Sequence, residues 1–400
     1  MRIGLFIYNL LYGVSLPVLL TVAKFTSKKR GGFSVKRRFF SFPSESQVEG
    51  RDIWIHCASI GEVNSARPLI EKLKDRAIVT TFTDYGADRA LKLFPEIPVY
   101  VIPPDMKPFT DRFVKSLGVK KLLVYETEIW PSLLTSAIEQ KVEVYFVSGK
   151  ITESSFSLYK RLSLVLKEIF NSSVFLARSD KDAERAKELG FAKVKTVGDL
   201  KFDSVMKPKP VNVSIGNRFP IIVWGSTHEG EEVLAGKIHV KLKEEFPQIL
   251  TIVAPRHVGR AESLLSLLPG KAVLRTQSKN VPSDTDFYIV DTVGELSSFY
   301  SLGDIAVIGG TFNEKVGGHN PLEPMVFGIP VVLGPYYSHF QGVISKIKEC
   351  IIFSTHENLF DKISLLIKND ELRHRVGVCG KRVLEKERSV TERILKEVFV

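Results

Sequence analysis

The chain has 400 residues, of which 44% are hydrophobic and 25% are charged. This composition excludes an intrinsically disordered chain, and the length suggests two domains, each with its own core. The formal net charge of +11 indicates an anionic partner, such as nucleic acid, acidic lipid or a phosphorylated substrate. Because Cys57, Cys350 and Cys379 are few and widely spaced, we expect neither a disulfide framework nor a cysteine-rich zinc site, and a reducing compartment is the default.

The first segment in chain order is an apolar run over residues 3–23, interrupted mainly by Asn9 and Pro17. Its length is close to the ~20 residues that cross a bilayer. Basic clusters at 28–30 and 36–38 follow the run, and they favour the cytoplasmic side of a membrane. A cleaved signal peptide fits less well, since no small-residue cleavage site follows. We therefore predict an uncleaved membrane anchor over residues 1–27; the alternative is a buried helix of the first domain.

Residues 28–208 alternate between strand-like apolar segments and helical patterns. This alternation predicts a first domain with a mostly parallel, doubly wound sheet. The strand candidates are residues 52–57, 77–82, 99–102, 121–125, 142–147, 173–177 and 194–197.

Residues 206–220 are rich in proline and turn formers and have no clear period, which is typical of a linker. A second domain over residues 209–400 follows, and from residue 359 the pattern predicts two amphipathic helices. The last of these helices could instead pack on the first domain. The strand candidates of the second domain are residues 221–224, 249–253, 287–290, 305–308, 329–333 and 351–353.

The stretch from residue 304 to 337 combines a strand, two glycine pairs, a helix start and a second strand. Gly309-Gly310 ends the first strand, and Gly317-Gly318 precedes Asn320, a plausible N-cap, and Pro321, a plausible first helical residue. The predicted helix runs to Phe327 and stops at Gly328. Free N–H groups and the helix dipole favour a phosphate at such a helix start. Glu323 could accept hydrogen bonds from the hydroxyls of a ribose. The alternative is an ordinary crossover with a well-capped helix.

Six short motifs follow strands or begin helices, and they carry a family resemblance. They are SIGE (59–62), ETEIWPSL (126–133), GDLKFD (198–203), GSTHEGEE (225–232), APRH (254–257) and GGHNPLEP (317–324). In this order and over nearly the whole chain, they resemble bacterial 3-deoxy-D-manno-octulosonic acid (Kdo) transferases. The resemblance implies an α/β fold of two Rossmann-like domains facing across a cleft (the GT-B fold), preceded by an apolar helix. Two departures are Asp199, where Asn or Ser is expected, and Ser148-Gly149-Lys150, where Asn-Ala-Arg is usual, so the role of that loop stays open.

The resemblance assigns catalytic roles in the first domain. It implies that Glu62 is the general base, because the attacking sugar hydroxyl must lose its proton and a carboxylate can accept it. The alternative is that Glu62 only serves the first turn of a helix. Glu126 would orient a catalytic cation or bind sugar hydroxyls, whereas Glu128 would be structural, although spacing alone does not separate the two. Lys201 would stabilise the departing phosphate or the carboxylate of the donor; the alternative is a solvated surface lysine.

The second domain would bind the donor nucleotide, with a guanidinium matched to the phosphate. The implied residues are Pro255, Arg256, Gly294, Glu295, Leu296, Asn320, Pro321, Leu322 and Glu323. We expect no metal and no cofactor. His257 and His319 lack carboxylates at ligand spacing, and Asp284-Thr285-Asp286 precedes a strand rather than following one, which is typical of a polar turn.

The resemblance implies an inverting enzyme that moves Kdo from CMP-Kdo to the lipid A precursor lipid IVA. Inner-membrane lipids would be partners, nucleic acid would not, and the catalytic domains would lie on the cytoplasmic side. One alternative is another two-domain nucleotide-sugar enzyme, such as a UDP-sugar transferase or epimerase. The other is a basic, membrane-associated protein that binds nucleic acid. This last alternative fits less well, since the basic clusters lie mainly beside the predicted anchor.

Overall fold

A computed structural model describes residues 2–26, 34–205 and 208–400 of the chain. These residues divide into two units. The first contains the residues up to Ser204 together with Ser389–Val400, and the second contains Val205–Arg388.

The first unit is built on seven parallel strands in the order β3-β2-β1-β4-β5-β6-β7. The strands are β1 (Ile53–His56), β2 (Ala77–Thr81), β3 (Val99–Val101), β4 (Lys121–Tyr125), β5 (Glu143–Gly149), β6 (Ser173–Ala177) and β7 (Lys193–Thr196). The helices are α1 (Arg2–Thr26), α2 (Val35–Phe40), α3 (Glu45–Val48), α4 (Ile60–Lys72), α5 (Asp84–Leu93), α6 (Lys107–Leu117), α7 (Pro131–Glu139), α8 (Glu153–Arg161), α9 (Ser163–Asn171), α10 (Asp180–Leu189) and α11 (Lys201–Ser204). The strand order reverses between β1 and β4, which is the point where such sheets bind ligands.

The second unit repeats this plan, with parallel strands in the order β10-β11-β9-β8-β12-β13-β14. The strands are β8 (Ile221–Thr227), β9 (Leu250–Pro255), β10 (Ala272–Leu274), β11 (Phe287–Ile289), β12 (Ile305–Ile308), β13 (Val331–Leu333) and β14 (Ile351–Phe353). The helices are α12 (Glu231–Glu245), α13 (Ala261–Leu267), α14 (Leu296–Phe299), α15 (Leu322–Met325), α16 (Gln341–Ile347), α17 (Leu359–Lys368) and α18 (Asp370–Glu387). The order reverses between β8 and β12.

The last helix, α19 (Val390–Phe399), belongs to the first unit. Its buried side chains Val390, Ile394 and Val398 join the hydrophobic core there. The backbone N–H of Thr391 donates to the Asp203 carboxylate at 2.6 Å. Three helices therefore follow residue 358, and the prediction of two was wrong. The amphipathic pattern continues across Ser389, whose left-handed φ of 68° separates α18 from α19.

Helix α1 is the one helix among the described residues that is long and apolar enough to cross a membrane, by length and composition. Polar side chains of α1 also contact the rest of the first unit. The Tyr8 hydroxyl donates to the Asp105 carboxylate at 2.8 Å, and the Asn9 amide donates to Ser132 Oγ at 3.0 Å. The end of the predicted anchor at residue 27 and the basic cluster at 28–30 lie outside the described residues.

The predicted fold class, two α/β domains with parallel sheets preceded by an apolar helix, is confirmed. Two other features differ from expectation. Strand β10 was not predicted, because it is a three-residue edge strand. Cys350 and Cys379 form a disulfide, a pairing that was not predicted when no disulfide framework was expected. The two cysteines are 29 residues apart and meet through the packing of α18, which no local pattern reveals.

Candidate active site

Glu62 lies in the first turn of α4, directly after β1. The Ser59 hydroxyl accepts a hydrogen bond from the Glu62 N–H at 3.4 Å, and Glu62 Oε2 accepts one from the Ala58 N–H at 2.6 Å. Burial, followed by the negative charge of Glu128, raises the pKa of Glu62 to about 8. The side chain therefore combines a helix-capping contact with a carboxyl group that exchanges a proton near neutral pH.

Glu126, Glu128 and Lys201 lie near Glu62 at the carboxyl ends of the strands. The Lys201 ammonium is 3.6 Å from Glu126 Oε1, and both side chains are mostly buried. Burial, and then the charge of Glu126, raises the pKa of Glu128 above its ordinary value. The structure thus brings together all three residues predicted to be catalytic in this unit, and Glu128 joins them.

Backbone strain is concentrated at the strand ends that carry the candidate residues. Glu126, Ser148 and Ser226 have left-handed φ values of 55°, 54° and 58°, although none is glycine. Such conformations cost of order 1–3 kcal/mol and persist where surrounding contacts enforce them. Their position at the ends of β4, β5 and β8 marks these turns as functional candidates.

The loop Ser148-Gly149-Lys150, whose role the sequence left open, connects two parts of this site. Ser148 Oγ accepts a hydrogen bond from the Leu200 N–H at 3.0 Å and donates to the Gly198 carbonyl at 3.4 Å. The Lys150 N–H donates to Thr127 Oγ1 at 3.1 Å. The loop therefore holds both the turn that leads into α11 and the segment after β4. The sequence did not predict this role, because the contacts join segments far apart in the chain.

Asp199, the second departure from the resemblance, stabilises the same turn. Its Oδ1 accepts a hydrogen bond from the Lys201 N–H at 3.0 Å, and its Oδ2 is 3.8 Å from the Arg178 guanidinium. An asparagine could accept the first of these contacts with its side-chain oxygen. The departure is therefore compatible with the same local geometry.

In the second unit, Glu231 connects the two loops at the strand-order reversal. This carboxylate is only 3% exposed. Its Oε2 accepts hydrogen bonds from the N–H groups of His228 and Gly310, both at 2.8 Å, and its Oε1 accepts one from the Phe312 N–H at 3.1 Å. No role was predicted for Glu231 from the sequence. The available signal was a glutamate in the first turn of a helix that follows Gly230.

Arg256, Asn320 and Glu323 lie at the same edge of the second sheet. The Arg256 side chain is exposed, and in residues 34–205 and 208–400 no hydrogen bond or ion pair engages its guanidinium. The Asn320 amide donates to Glu323 Oε1 at 3.4 Å. Burial raises the pKa of Glu323, whereas Asn320 and then the charge of Arg256 oppose that rise.

The helix after the second glycine pair is shorter than predicted. It was expected to run to Phe327 with Asn320 as N-cap, but α15 is a single turn with Pro321 as its N-cap. Asn320 Oδ1 still accepts a hydrogen bond from the Leu322 N–H at 3.1 Å. A helix of one turn has a weaker dipole for binding an anion than the predicted longer helix, so a donor site here would depend on side chains instead.

Of the other predicted donor residues, Gly294 and Glu295 lie between β11 and α14, and Leu296 begins α14. Leu296 Cδ1 lies 3.3 Å from the position that a Cβ at Gly225 would occupy. Gly294 has a left-handed φ of 90°. The Glu295 carboxylate is already engaged, since it pairs with Arg275 at 3.4 Å and accepts a hydrogen bond from Thr292. Any contact of Glu295 with a ligand is therefore expected through its backbone.

The candidate metal ligands form other contacts. Asp284 pairs with Lys271, and Asp286 pairs with Lys243 and accepts a hydrogen bond from the Lys271 N–H at 3.0 Å. The motif Asp284-Thr285-Asp286 is thus held in structural ion pairs. Within the part of the chain that the structure describes, no group of three His, Cys, Asp or Glu side chains is arranged to hold a metal ion.

Comparisons with protein families match both halves of the chain. A family model described as 3-deoxy-D-manno-octulosonic-acid transferase (kdotransferase) matches residues 33–204. A second model, described as glycosyl transferases group 1, matches residues 268–383. The two matches fall within the first and second units, respectively.

Individual relatives extend this similarity over most of the chain. The chain is 28% identical to the 3-deoxy-D-manno-octulosonic acid transferase of Haemophilus influenzae, over 98% of this chain and 97% of that protein. It is 32% identical to the 3-deoxy-D-manno-octulosonic acid transferase of Aquifex aeolicus, over 76% and 81%. A UDP-GlcNAc 2-epimerase from Neisseria meningitidis has a similar fold, with a TM-score of 0.57 over 86% of this chain and 100% of that chain. At 14% identity this last likeness concerns the fold alone.

Proposed function

The chain belongs to the family of Kdo transferases, which are glycosyltransferases, and we propose that it moves Kdo from CMP-Kdo to the lipid A precursor lipid IVA. The observation that carries this proposal is that Glu62 and Lys201 lie close to two further carboxylates, those of Glu126 and Glu128. Glu62 exchanges a proton near neutral pH, with a pKa of about 8. Lys201 supplies a positive charge beside it, held 3.6 Å from Glu126.

In the proposed reaction, Glu62 accepts the proton of the acceptor hydroxyl as its oxygen attacks the anomeric carbon of Kdo. The new C–O bond forms while the bond from that carbon to the CMP phosphate oxygen breaks, and the electron pair leaves with CMP. Attack from the face opposite CMP inverts the configuration. Lys201, oriented by Glu126, stabilises negative charge on the departing phosphate or on the Kdo carboxylate.

The second unit would bind the nucleotide. Arg256 is suited to the CMP phosphate, because its guanidinium is exposed and offers paired donors. Glu323, oriented by Asn320, would accept hydrogen bonds from the ribose hydroxyls. The neighbouring residues of the proposed nucleotide site are Pro255, Gly294, Glu295, Leu296, Pro321 and Leu322. We propose that no metal ion or cofactor takes part, so EDTA should leave the rate unchanged.

We further propose that α1 attaches the protein to the cytoplasmic face of the inner membrane. Its apolar window spans Ile3–Val22 with a mean hydropathy of 1.9. Support comes from the large side chains that α1 leaves exposed, which are Ile3, Phe6, Ile7, Leu10, Leu11, Val14 and Val18. An exposed apolar surface of this kind is typical of contact with a membrane or a protein.

The test is a mass-spectrometric assay with the purified full-length chain, CMP-Kdo and a tetraacylated lipid A precursor. We expect a product heavier than the acceptor by Kdo residues, and no product when a UDP-sugar replaces CMP-Kdo. Transfer from the UDP-sugar, or no transfer from CMP-Kdo by a folded enzyme in lipid or detergent, would contradict the proposal.

A further inference from the structure

Two histidines meet at the point where the strand order of the second sheet reverses. His228 follows β8, and His319 lies in the loop after β12. Their Nε2 atoms are 2.7 Å apart, and their rings are parallel to within 3° with centroids 5.0 Å apart. This separation is that of a hydrogen bond. One Nε2 must therefore donate its hydrogen to the lone pair of the other.

This hydrogen bond fixes the chemistry of the outer ring nitrogens. A neutral imidazole carries one N–H and one acceptor nitrogen. The ring that donates through Nε2 therefore has an acceptor at Nδ1, and the ring that accepts through Nε2 has its hydrogen at Nδ1. One additional proton turns the remaining Nδ1 acceptor into a donor. The pair then becomes a cation with two outward N–H donors around one shared hydrogen.

Arg256 and two further histidines face this pair from several elements. The His257 ring lies edge-on to His228 with centroids 6.0 Å apart, and Arg256 is close enough to affect the titration of both His228 and His319. His339 acts on His319 in the same way. Arg256 and these histidines therefore oppose protonation of the pair.

Three more charged groups lie close to His228, and each is engaged by other contacts. Arg260 binds the buried Glu232 with its guanidinium, the nearest N···O distance being 3.0 Å. The Glu231 carboxylate is occupied by backbone N–H groups, including that of His228 itself. Among these groups, Arg256 is the charge that no ion pair in the described residues engages.

The pair is consequently neutral when its surroundings hold no anion. Burial, followed by the nearby His228 and Arg256, lowers the pKa of His319 to about 4. Burial, and then His257, also lowers the pKa of His228. A bound anion would offset this repulsion and favour the protonated pair. A bound anion therefore raises the pH at which the pair becomes a cation.

We propose that His228 and His319 bind the phosphate of the donor nucleotide and take up one proton from solvent as that nucleotide binds. The proton goes to the outer nitrogen of the pair and returns to solvent when CMP leaves, so no net proton is consumed. This inference rests on the proposed function, since Arg256 and Glu323 are taken to bind the same nucleotide. It adds a phosphate contact and a pH dependence to the nucleotide site proposed above.

The test uses a nucleotide that does not itself titrate near neutral pH. Cytidine 5′-(methyl phosphate) is a phosphodiester with one negative charge, like the phosphate of CMP-Kdo. Its binding to the full-length protein is measured by calorimetry between pH 5.5 and 7.5, in buffers of different ionisation enthalpy. We expect an uptake approaching one proton and an affinity that increases toward acidic pH by up to about tenfold per pH unit.

Variants test whether the proton is taken up by the His228–His319 pair or by a neighbouring histidine. In His228→Gln and His319→Gln, we expect weaker binding and loss of the proton uptake. His257→Gln is the matched control, because that ring lies beside the pair but makes no hydrogen bond within it, and it should keep the uptake. Cytidine, which lacks the phosphate, should bind wild-type protein without proton uptake.

The outcomes distinguish the two proposals. A wild-type protein that binds the phosphodiester without proton uptake, or uptake that survives in both pair variants, overturns this inference and leaves the proposed function intact. A wild-type protein that binds neither the phosphodiester nor CMP overturns the proposed function together with it. If the variants do not fold, NMR titration of labelled histidines in wild-type protein gives the answer: the pKa values of the pair must rise when the phosphodiester binds.

Discussion

The side chain of Ser148 and the backbone of Leu200 are joined by a hydrogen bond across 52 residues of sequence. The Leu200 N–H donates to Ser148 Oγ at 3.0 Å. Ser148 is buried and held in a left-handed conformation, so its hydroxyl has little freedom to move. Lys201, which is proposed to stabilise the departing phosphate, follows Leu200 directly. The hydrogen bond to Ser148 therefore fixes the backbone from which the Lys201 side chain extends.

Ser148→Ala should therefore slow turnover without weakening nucleotide binding. Small misplacements of a catalytic group cost up to roughly 100-fold in rate, so we expect a loss between about 10- and 100-fold. The measurement is kcat with CMP-Kdo, together with CMP affinity by calorimetry. Ser157→Ala, on an exposed position of α8, is the control and should behave as wild type. Equal turnover in both variants would remove the positioning role of Ser148.

Two arginines four residues apart should respond differently to substitution. Arg256 is exposed, whereas Arg260 pairs with Glu232, whose side chain is fully buried. Arg256→Ala should weaken CMP binding by about 1.5–3 kcal/mol, because a charge-assisted hydrogen bond is lost. Arg260→Ala should instead lower the stability of the second unit by about 3–5 kcal/mol, because it leaves a buried charge unpaired. Calorimetry and thermal unfolding separate the two effects.

Glu323→Gln extends this test to the ribose. The amide keeps the size of the side chain but is a weaker acceptor, so CMP affinity should fall. The substituted side chain should keep its place beside Asn320. Thermal unfolding is the control, and it should show that the variant is as stable as the wild type. Unchanged CMP affinity in both Arg256→Ala and Glu323→Gln would show that the second unit does not bind the donor through these residues.

Deleting residues 1–27 should move the protein to the soluble fraction. The exposed apolar side chains of α1 leave with the deleted segment, whereas Asp105 keeps hydrogen bonds from the N–H groups of Ser132 and Leu133. The first unit should therefore stay folded, and transfer to a short-chain acceptor should continue. The measurement is membrane sedimentation followed by an activity assay. A truncated protein that still sediments completely would contradict the role of α1 in attachment.

The sequence predicted much of the sheet architecture because both sheets are parallel and covered on both faces. Such strands are continuous apolar runs, so the predicted bounds of β4, β6, β12 and β14 agree with the structure. Strand ends in turn indicated where Glu62, Glu126 and Arg256 lie, since parallel strands direct their carboxyl ends to one edge.

Other features depended on contacts between distant segments and were not predictable from local patterns. Glu231 acts through the N–H groups of a loop 79 and 81 residues later. The glycine at 149 is required because a Cβ there would lie 2.4 Å from the Phe175 ring, which only the packed sheet reveals. The Cys350–Cys379 disulfide and the His228–His319 pair likewise arise from tertiary packing.

The decisive prediction concerns Glu62 and has a pH dependence of defined sign. A general base must be ionised to accept a proton, and the pKa of Glu62 is raised to about 8. Activity should therefore increase as the pH rises through about 8 and level off above it.

The raised pKa of Glu62 also affects the stability of the fold. Because the folded state favours the neutral carboxyl, the stability that this group contributes should decrease as the pH rises from the ordinary pKa of glutamate toward 8.

Glu62→Gln tests both consequences together. The amide oxygen can still accept the hydrogen bond from the Ala58 N–H, so the start of α4 and CMP affinity should be preserved. The amide cannot accept the substrate proton, and loss of a general base typically costs roughly 10²–10⁴-fold in rate. The residual activity should lose the pH step near 8, and the stability of the variant should vary less with pH. Glu71→Gln, on the same helix but paired with Arg67 at the surface, is the matched control and should keep full activity. Near wild-type turnover in Glu62→Gln would exclude Glu62 as the base, and Glu126 would then be the next carboxylate to substitute.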